Sequence, residues 1–84
     1  MIGYPTHAKR IVHDALSAGW RVEAGPDDSG GWMLRLLPGG TVSYTARWRR
    51  ANSSWEADYA ERRTLTTADE ISLAELRAAI GGAR

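Results

Sequence analysis

The sequence predicts an α+β fold, a two-layer sandwich in α-β-β-β-(β)-α order, with an antiparallel meander covered on one face by both helices. Three observations predict it. Apolar residues recur at helical spacing up to Ser17, and at a period of two from Trp20 to Tyr59. The alternating stretch is cut by three turn-forming runs, "GPDDSGG", "PGG" and "ANSS". A helix start signal then stands near the C-terminal end. A sheet with one apolar face needs a cover, and two amphipathic helices supply it.

The first helix opens at Pro5 or Thr6. Ala8, Ile11, Val12, Ala15 and Leu16 form its apolar stripe, while His7, Lys9, Arg10, His13 and Asp14 point to solvent. Gly19 is the expected left-handed stop, with Trp20 placed for the hydrophobic contact that accompanies it.

Four strands follow, the last the shortest in signal. Trp20, Val22 and Ala24 alternate with Arg21 and Glu23, and Trp32, Leu34 and Leu36 with Met33 and Arg35. Val42, Tyr44, Ala46 and Trp48 form the third set, and Trp55, Ala57 and Tyr59 the fourth. A one-residue slip inverts a strand, so register is sought by keeping apolar residues on one face. A three-residue loop at Pro38–Gly40 sets Leu36 opposite Val42, Leu34 opposite Tyr44 and Trp32 opposite Ala46; a two-residue loop mixes the faces. A tip at Ala51–Ser54 sets Trp48 opposite Trp55, Ala46 opposite Ala57 and Tyr44 opposite Tyr59. The helix-facing side then carries Trp20, Val22, Trp32, Leu34, Leu36, Val42, Tyr44, Trp48, Trp55 and Tyr59. On the other side Arg47 faces Glu56, with Asp58 diagonal to it. Opposite charges across strands are worth about 0.2 to 1 kcal/mol.

The stretch "ERRTLTTADE" reads as a polar connector to the last helix. That helix begins with a capping box, Ser72 at the N-cap and Glu75 three residues on. Ile71 and Leu76 stand at the positions of a hydrophobic staple. Leu73, Leu76 and Ile80 form its buried stripe, and Gly81-Gly82 ends it.

Length and composition set the bounds. With 84 residues, the chain makes one domain over 1–84 and buries roughly 60 to 65 % of its surface. Four tryptophans and no phenylalanine supply its core area, about 150 to 250 Å² per ring. A net charge of +1 argues against a protein held on nucleic acid by bulk charge. Lys9 is the only lysine, and the arginine and alanine bias fits a GC-rich genome. The absence of cysteine excludes disulfides, thiol nucleophiles and cysteine metal sites. The start "MIGYPTHAKR" lacks an apolar leader core, and no apolar run approaches the ~20 residues that span a bilayer. A cytoplasmic protein with no membrane partner is expected.

The helix ending in "AGW" at Ala18–Trp20, the hairpin with "PGG" and the last helix "LAELRAAIGG" resemble the HicA/YcfA-like family. These pieces cover about half the chain. The resemblance implies the α-β-β-β-α arrangement of double-stranded RNA-binding domains. The family's toxins are mRNA-cleaving ribonucleases that use a histidine in a Gly-Ser-His-like motif where the second strand begins. Here that place reads "DSGGWML", without histidine, and a strand after "ANSS" departs from the pattern. The resemblance supports the fold and speaks against the chemistry.

The residues point the same way. His7 and His13 are six apart, off the i, i+4 line of a helical metal pair. Asp27-Asp28 lacks the ligand spacing of a calcium loop, and its negative charge suits no phosphate. Glu56 and Asp58 lie near arginine, and Asp69 and Glu70 near a helix start, so none sits in the apolar pocket that acid–base work uses. No catalytic residue, metal site or cofactor is expected, and no enzyme.

Two functions remain. The first is a non-catalytic interaction module, an adaptor, inhibitor or regulatory protein of bacterial or phage type, whose partner is another protein. Its candidate contacts are Met33 and Leu37, apolar residues on the nominally exposed sheet face. The second is RNA binding without cleavage, through Lys9, Arg10, Arg49, Arg50, Arg62 and Arg63. "RWRRANSSWE" belongs to neither by itself, because it is also what a solvated hairpin end looks like.

Overall fold

A computed structural model describes residues 5–82. The order is α1 (Thr6–Ser17), β1 (Arg21–Pro26), β2 (Trp32–Gly39), β3 (Val42–Ala51), β4 (Ser54–Arg63), β5 (Ala68–Glu70) and α2 (Leu73–Gly82). The strands form one antiparallel sheet in sequence order, β1-β2-β3-β4-β5. The two-layer α+β expectation holds, with one strand more than the four expected.

The helix termini follow their sequence signals. Gly19 sits at φ 83°, Gly19 N–H donates to Leu16 C=O and Trp20 N–H to Ala15 C=O. That double closure is the Schellman motif, and it brings buried Trp20 back onto buried Ala15. At α2, Glu75 N–H donates to Ser72 Oγ at 3.0 Å, and Ser72 N–H to Glu75 Oε1 at 3.3 Å. The capping box is therefore formed on both sides. The two glycines expected to end α2 instead close its last turn.

One core unites the layers. Ala8, Ile11 and Ala15 of α1 and Leu76 and Ile80 of α2 pack with Leu34, Leu36, Tyr44, Ala46, Trp48 and Ala60 of the sheet. The buried sheet residues share one side, so both helices cover one face. Trp20 stacks on Tyr44 with ring centroids 5.5 Å apart. Among the described residues, no helix is long and apolar enough to cross a membrane.

The expected register is corrected at both hairpins, each by a β-bulge. In β2–β3, Trp32 pairs with Trp48, Leu34 with Ala46 and Leu36 with Tyr44, but Gly39 pairs with Val42. The turn is the two-residue Gly40-Thr41, with Gly39 at φ 125° and Gly40 at φ 64°. Leu37 and Pro38 together oppose one residue of β3. Proline has no N–H for the ladder, so a bulge accommodates it, and the extra residue restores the faces that a two-residue turn alone would mix.

In β3–β4, Ala51 pairs with Ser54 around the two-residue turn Asn52-Ser53, Asn52 taking φ 56°. Trp48 then faces Ala57, not Trp55, and Trp55 faces Arg50. Asp58 is the bulge residue, after which Arg47 faces Tyr59, Ala46 faces Ala60 and Tyr44 faces Arg62. The bulge turns Tyr59 away from the core, where it was expected, and puts Ala60 there. The tryptophan partner of Trp48 is Trp32, ring centroids 6.1 Å apart in an edge arrangement.

The polar connector contains β5. The stretch Thr64–Thr67 closes a tight turn, with Thr64 N–H donating to Thr67 C=O and the two hydroxyls 2.8 Å apart. Three exposed residues, Ala68–Glu70, then pair with the end of β4. Nothing apolar alternates there. Backbone pairing with the long β4 makes the strand.

Candidate functional site

The open face of the sheet is built row by row from the register. One row runs Gly25–Met33–Arg47–Tyr59, across β1 to β4. The neighbouring row is Glu23–Arg35–Thr45–Glu61–Glu70, across all five strands. On the other side of the first row stand Arg49 and Glu56.

The arginines to either side of the central row each pair with a glutamate. Glu23 lies 3.7 Å from both Arg21 and Arg35, and Arg49 donates to Glu56 at 3.0 Å. Glu61 accepts from Arg63 Nε at 3.1 Å and from the Tyr59 hydroxyl at 2.6 Å. These bonds, the tyrosine's above all, hold the Glu61 carboxyl below its usual range, and the same contact pushes the Tyr59 phenol upward. Exposed pairs of this kind contribute little stability, with a median of about 0 to 1 kcal/mol. Their effect is to give each of these arginines a carboxylate partner.

The central row differs. Arg47 lies over the Tyr59 ring, its guanidinium carbon 4.9 Å from the centroid. Met33, opposite Arg47 on the next strand, is 39 % exposed. An exposed methionine and a half-buried aromatic ring here adjoin a guanidinium placed over that ring. Arg47 was readable as an outward residue, since it lies between buried Ala46 and Trp48. Tyr59 was not, because only the Asp58 bulge brings it to this face.

The "GPDDSGG" loop supports the end of this row and is a hairpin connection, as its turn chemistry suggests. Asp27 Oδ1 accepts from Ser29 Oγ at 2.7 Å, Ser29 N–H at 2.9 Å and Gly31 N–H at 2.9 Å. The Ser29 hydroxyl is the main reason its carboxyl is held below the usual range. Gly31 is sterically required: a Cβ there would lie 2.5 Å from the Trp48 carbonyl oxygen.

The sequence-derived candidates fall in several places. Met33 joins the central row, and Leu37, half-buried, lies on the same face in the row of Arg21 and Ser43–Arg63. Of the basic six, Lys9 and Arg10 are exposed on α1, in the other layer. Arg49 and Arg63 are on the open face, each paired to a glutamate. Arg50, 5.9 Å from the Trp55 ring centroid, and Arg62, opposite Asp69, belong to the helix side. The structure does not bring the six together.

His7 and His13 are both exposed, His13 Nδ1 lying 3.6 Å from Asp14. Among the described residues, no group of three His, Cys, Asp or Glu side chains is placed to hold a metal ion. No family model, curated protein or solved structure matches the chain.

Proposed function

We propose that the chain is a non-catalytic protein-binding module whose contact surface is the open sheet face, centred on Met33, Arg47 and Tyr59. The observation that carries this reading is the contrast between that row and its flanks. Glutamates pair with the flanking arginines, whereas Arg47 is held over a ring beside an exposed methionine. Arginine, tyrosine and methionine are enriched in interface cores, and a polar rim with satisfied hydrogen bonds is the usual surround. The complementary partner surface has an apolar anchor for Met33 and the Tyr59 ring, and a carboxylate for the Arg47 guanidinium. Leu37 lies on the same face of β2, beyond Arg35, as a second apolar contact.

The rival reading, RNA binding without cleavage by a domain of HicA-like, double-stranded RNA-binding-domain-like fold, draws on Lys9, Arg10, Arg49, Arg50, Arg62 and Arg63. Their spread over two layers, with two of them paired to glutamate, favours the protein reading. A continuous phosphate track needs cations along one surface.

Affinity capture from the native host's lysate, with wild-type chain and with Met33→Asp and Arg47→Glu variants on the resin, tests the proposal. A protein retained by the wild type and released by both variants is the expected result. Identical retention by all three overturns the sheet-face assignment. Salt-sensitive shifting of RNA in a gel, lost on replacing the arginines, establishes the rival instead.

A further inference from the structure

The helical layer, on the side opposite this surface, holds a second feature. A groove of about 290 Å³ lies between α1 and α2, lined by Thr6, His7, Arg10 and Ile11 on one side and Leu73, Ala74 and Arg77 on the other. Helical spacing aligns these residues. Thr6–Arg10, His7–Ile11 and Leu73–Arg77 are each four apart, so each pair shares a helix face. The floor is apolar, and the ionisable lining residues are all basic.

The arginines there are unlike those of the sheet. Arg21, Arg35, Arg49 and Arg63 each have a glutamate within 4 Å, and Arg47 and Arg50 each lie over a ring. Among the described residues, Arg10 and Arg77 have no ion-pair or hydrogen-bond partner. Both are exposed, on either side of the same groove.

We infer that this groove binds a small amphipathic carboxylate. Its apolar body lies on Ile11, Leu73 and Ala74, and its carboxylate lies between the Arg10 and Arg77 guanidinium groups. The volume is at the lower end of ligand pockets, which begin at roughly 300 Å³, so the ligand is small. Paired guanidinium groups suit the planar carboxylate, which accepts from both forks.

The test is a titration of the ¹⁵N-labelled full chain with 2-naphthoate, followed by amide shifts. Parallel titrations use 2-naphthalenemethanol, which keeps the apolar body without the charge, and inorganic phosphate, at matched ionic strength. The expected result is saturable shifts confined to the helix segments of residues 6–11 and 73–77. Affinity is expected to fall about tenfold or more for the alcohol, for phosphate and for the Arg10→Gln/Arg77→Gln double variant. These exposed substitutions leave the core intact, so the variant's spectrum elsewhere should match the parent. Shifts centred elsewhere, or equal binding by the alcohol, overturn the inference. So does equal binding by phosphate, which reduces the site to a general anion contact, or by the double variant. None of these results bears on the sheet-face reading, whose residues lie in the other layer.

Discussion

The hydroxyl of Tyr59 donates to Glu61 Oε1 at 2.6 Å, two residues along the same strand and on the same open face. It is the leading cause of the lowered Glu61 pKa. A carboxyl with a depressed folded pKa stabilises the fold above its unfolded pKa, near 4.3, and loses that contribution as pH falls through the folded value. Tyr59→Phe is therefore expected to raise the Glu61 pKa and to flatten the acid limb of the stability profile. Carbon-detected titration of the carboxyl, with melts from pH 2 to 7, checks both. An unmoved Glu61 pKa would mean that this bond does not hold the carboxylate.

Tryptophan substitutions should be unequal. Trp48 is 3 % exposed and meets Trp32 across the strands, whereas Trp55 is half-buried at the hairpin end. Trp48→Ala is expected to cost about 3 to 5 kcal/mol, and Trp55→Ala clearly less. Equal losses in urea unfolding would count against the corrected register.

Gly31 and Gly25 provide a matched pair. A methyl at Gly31 meets the Trp48 carbonyl oxygen, and the backbone must move to admit it. At Gly25 nothing lies within 4 Å. Gly31→Ala should destabilise by about 1 to 3 kcal/mol. Gly25→Ala should stay within about 0.5 kcal/mol of the parent. Denaturation midpoints decide it, and a silent Gly31→Ala would show that β2 and β3 do not approach as described.

Ser72→Ala removes the oxygen that caps Glu75 N–H. The expected loss is about 0.5 to 2 kcal/mol. Because Leu76 and Ile80 of the same helix are buried in the core, the loss should appear in the global melt, not as local fraying alone. An unchanged midpoint would place helix initiation elsewhere.

The sequence by itself determined both helices, the glycine stop of α1 and the capping box of α2, the apolar side of β1 to β3, and the outward direction of Met33 and Arg47. Each of these rests on short-range physics: the 3.6 and 2.0 residue periods, a serine three residues before a glutamate, a glycine able to take positive φ. The tertiary structure decided what depended on pairing. Whether Leu37-Pro38 and Asp58 are bulged cannot be read from alternation, because a bulge shifts every later residue without marking itself in composition. So the expected pairs Leu36–Val42 and Trp48–Trp55 gave way to Leu36–Tyr44 and Trp48–Trp32, and Tyr59 came to lie beside Arg47 on the open face. The same holds for β5, whose three exposed residues become a strand only because the end of β4 is there to pair with. The groove between the helices likewise needed both in place. Arg10 and Arg77 are 67 positions apart in the chain, and the packing of α1 against α2 over one sheet face puts them on either side of it.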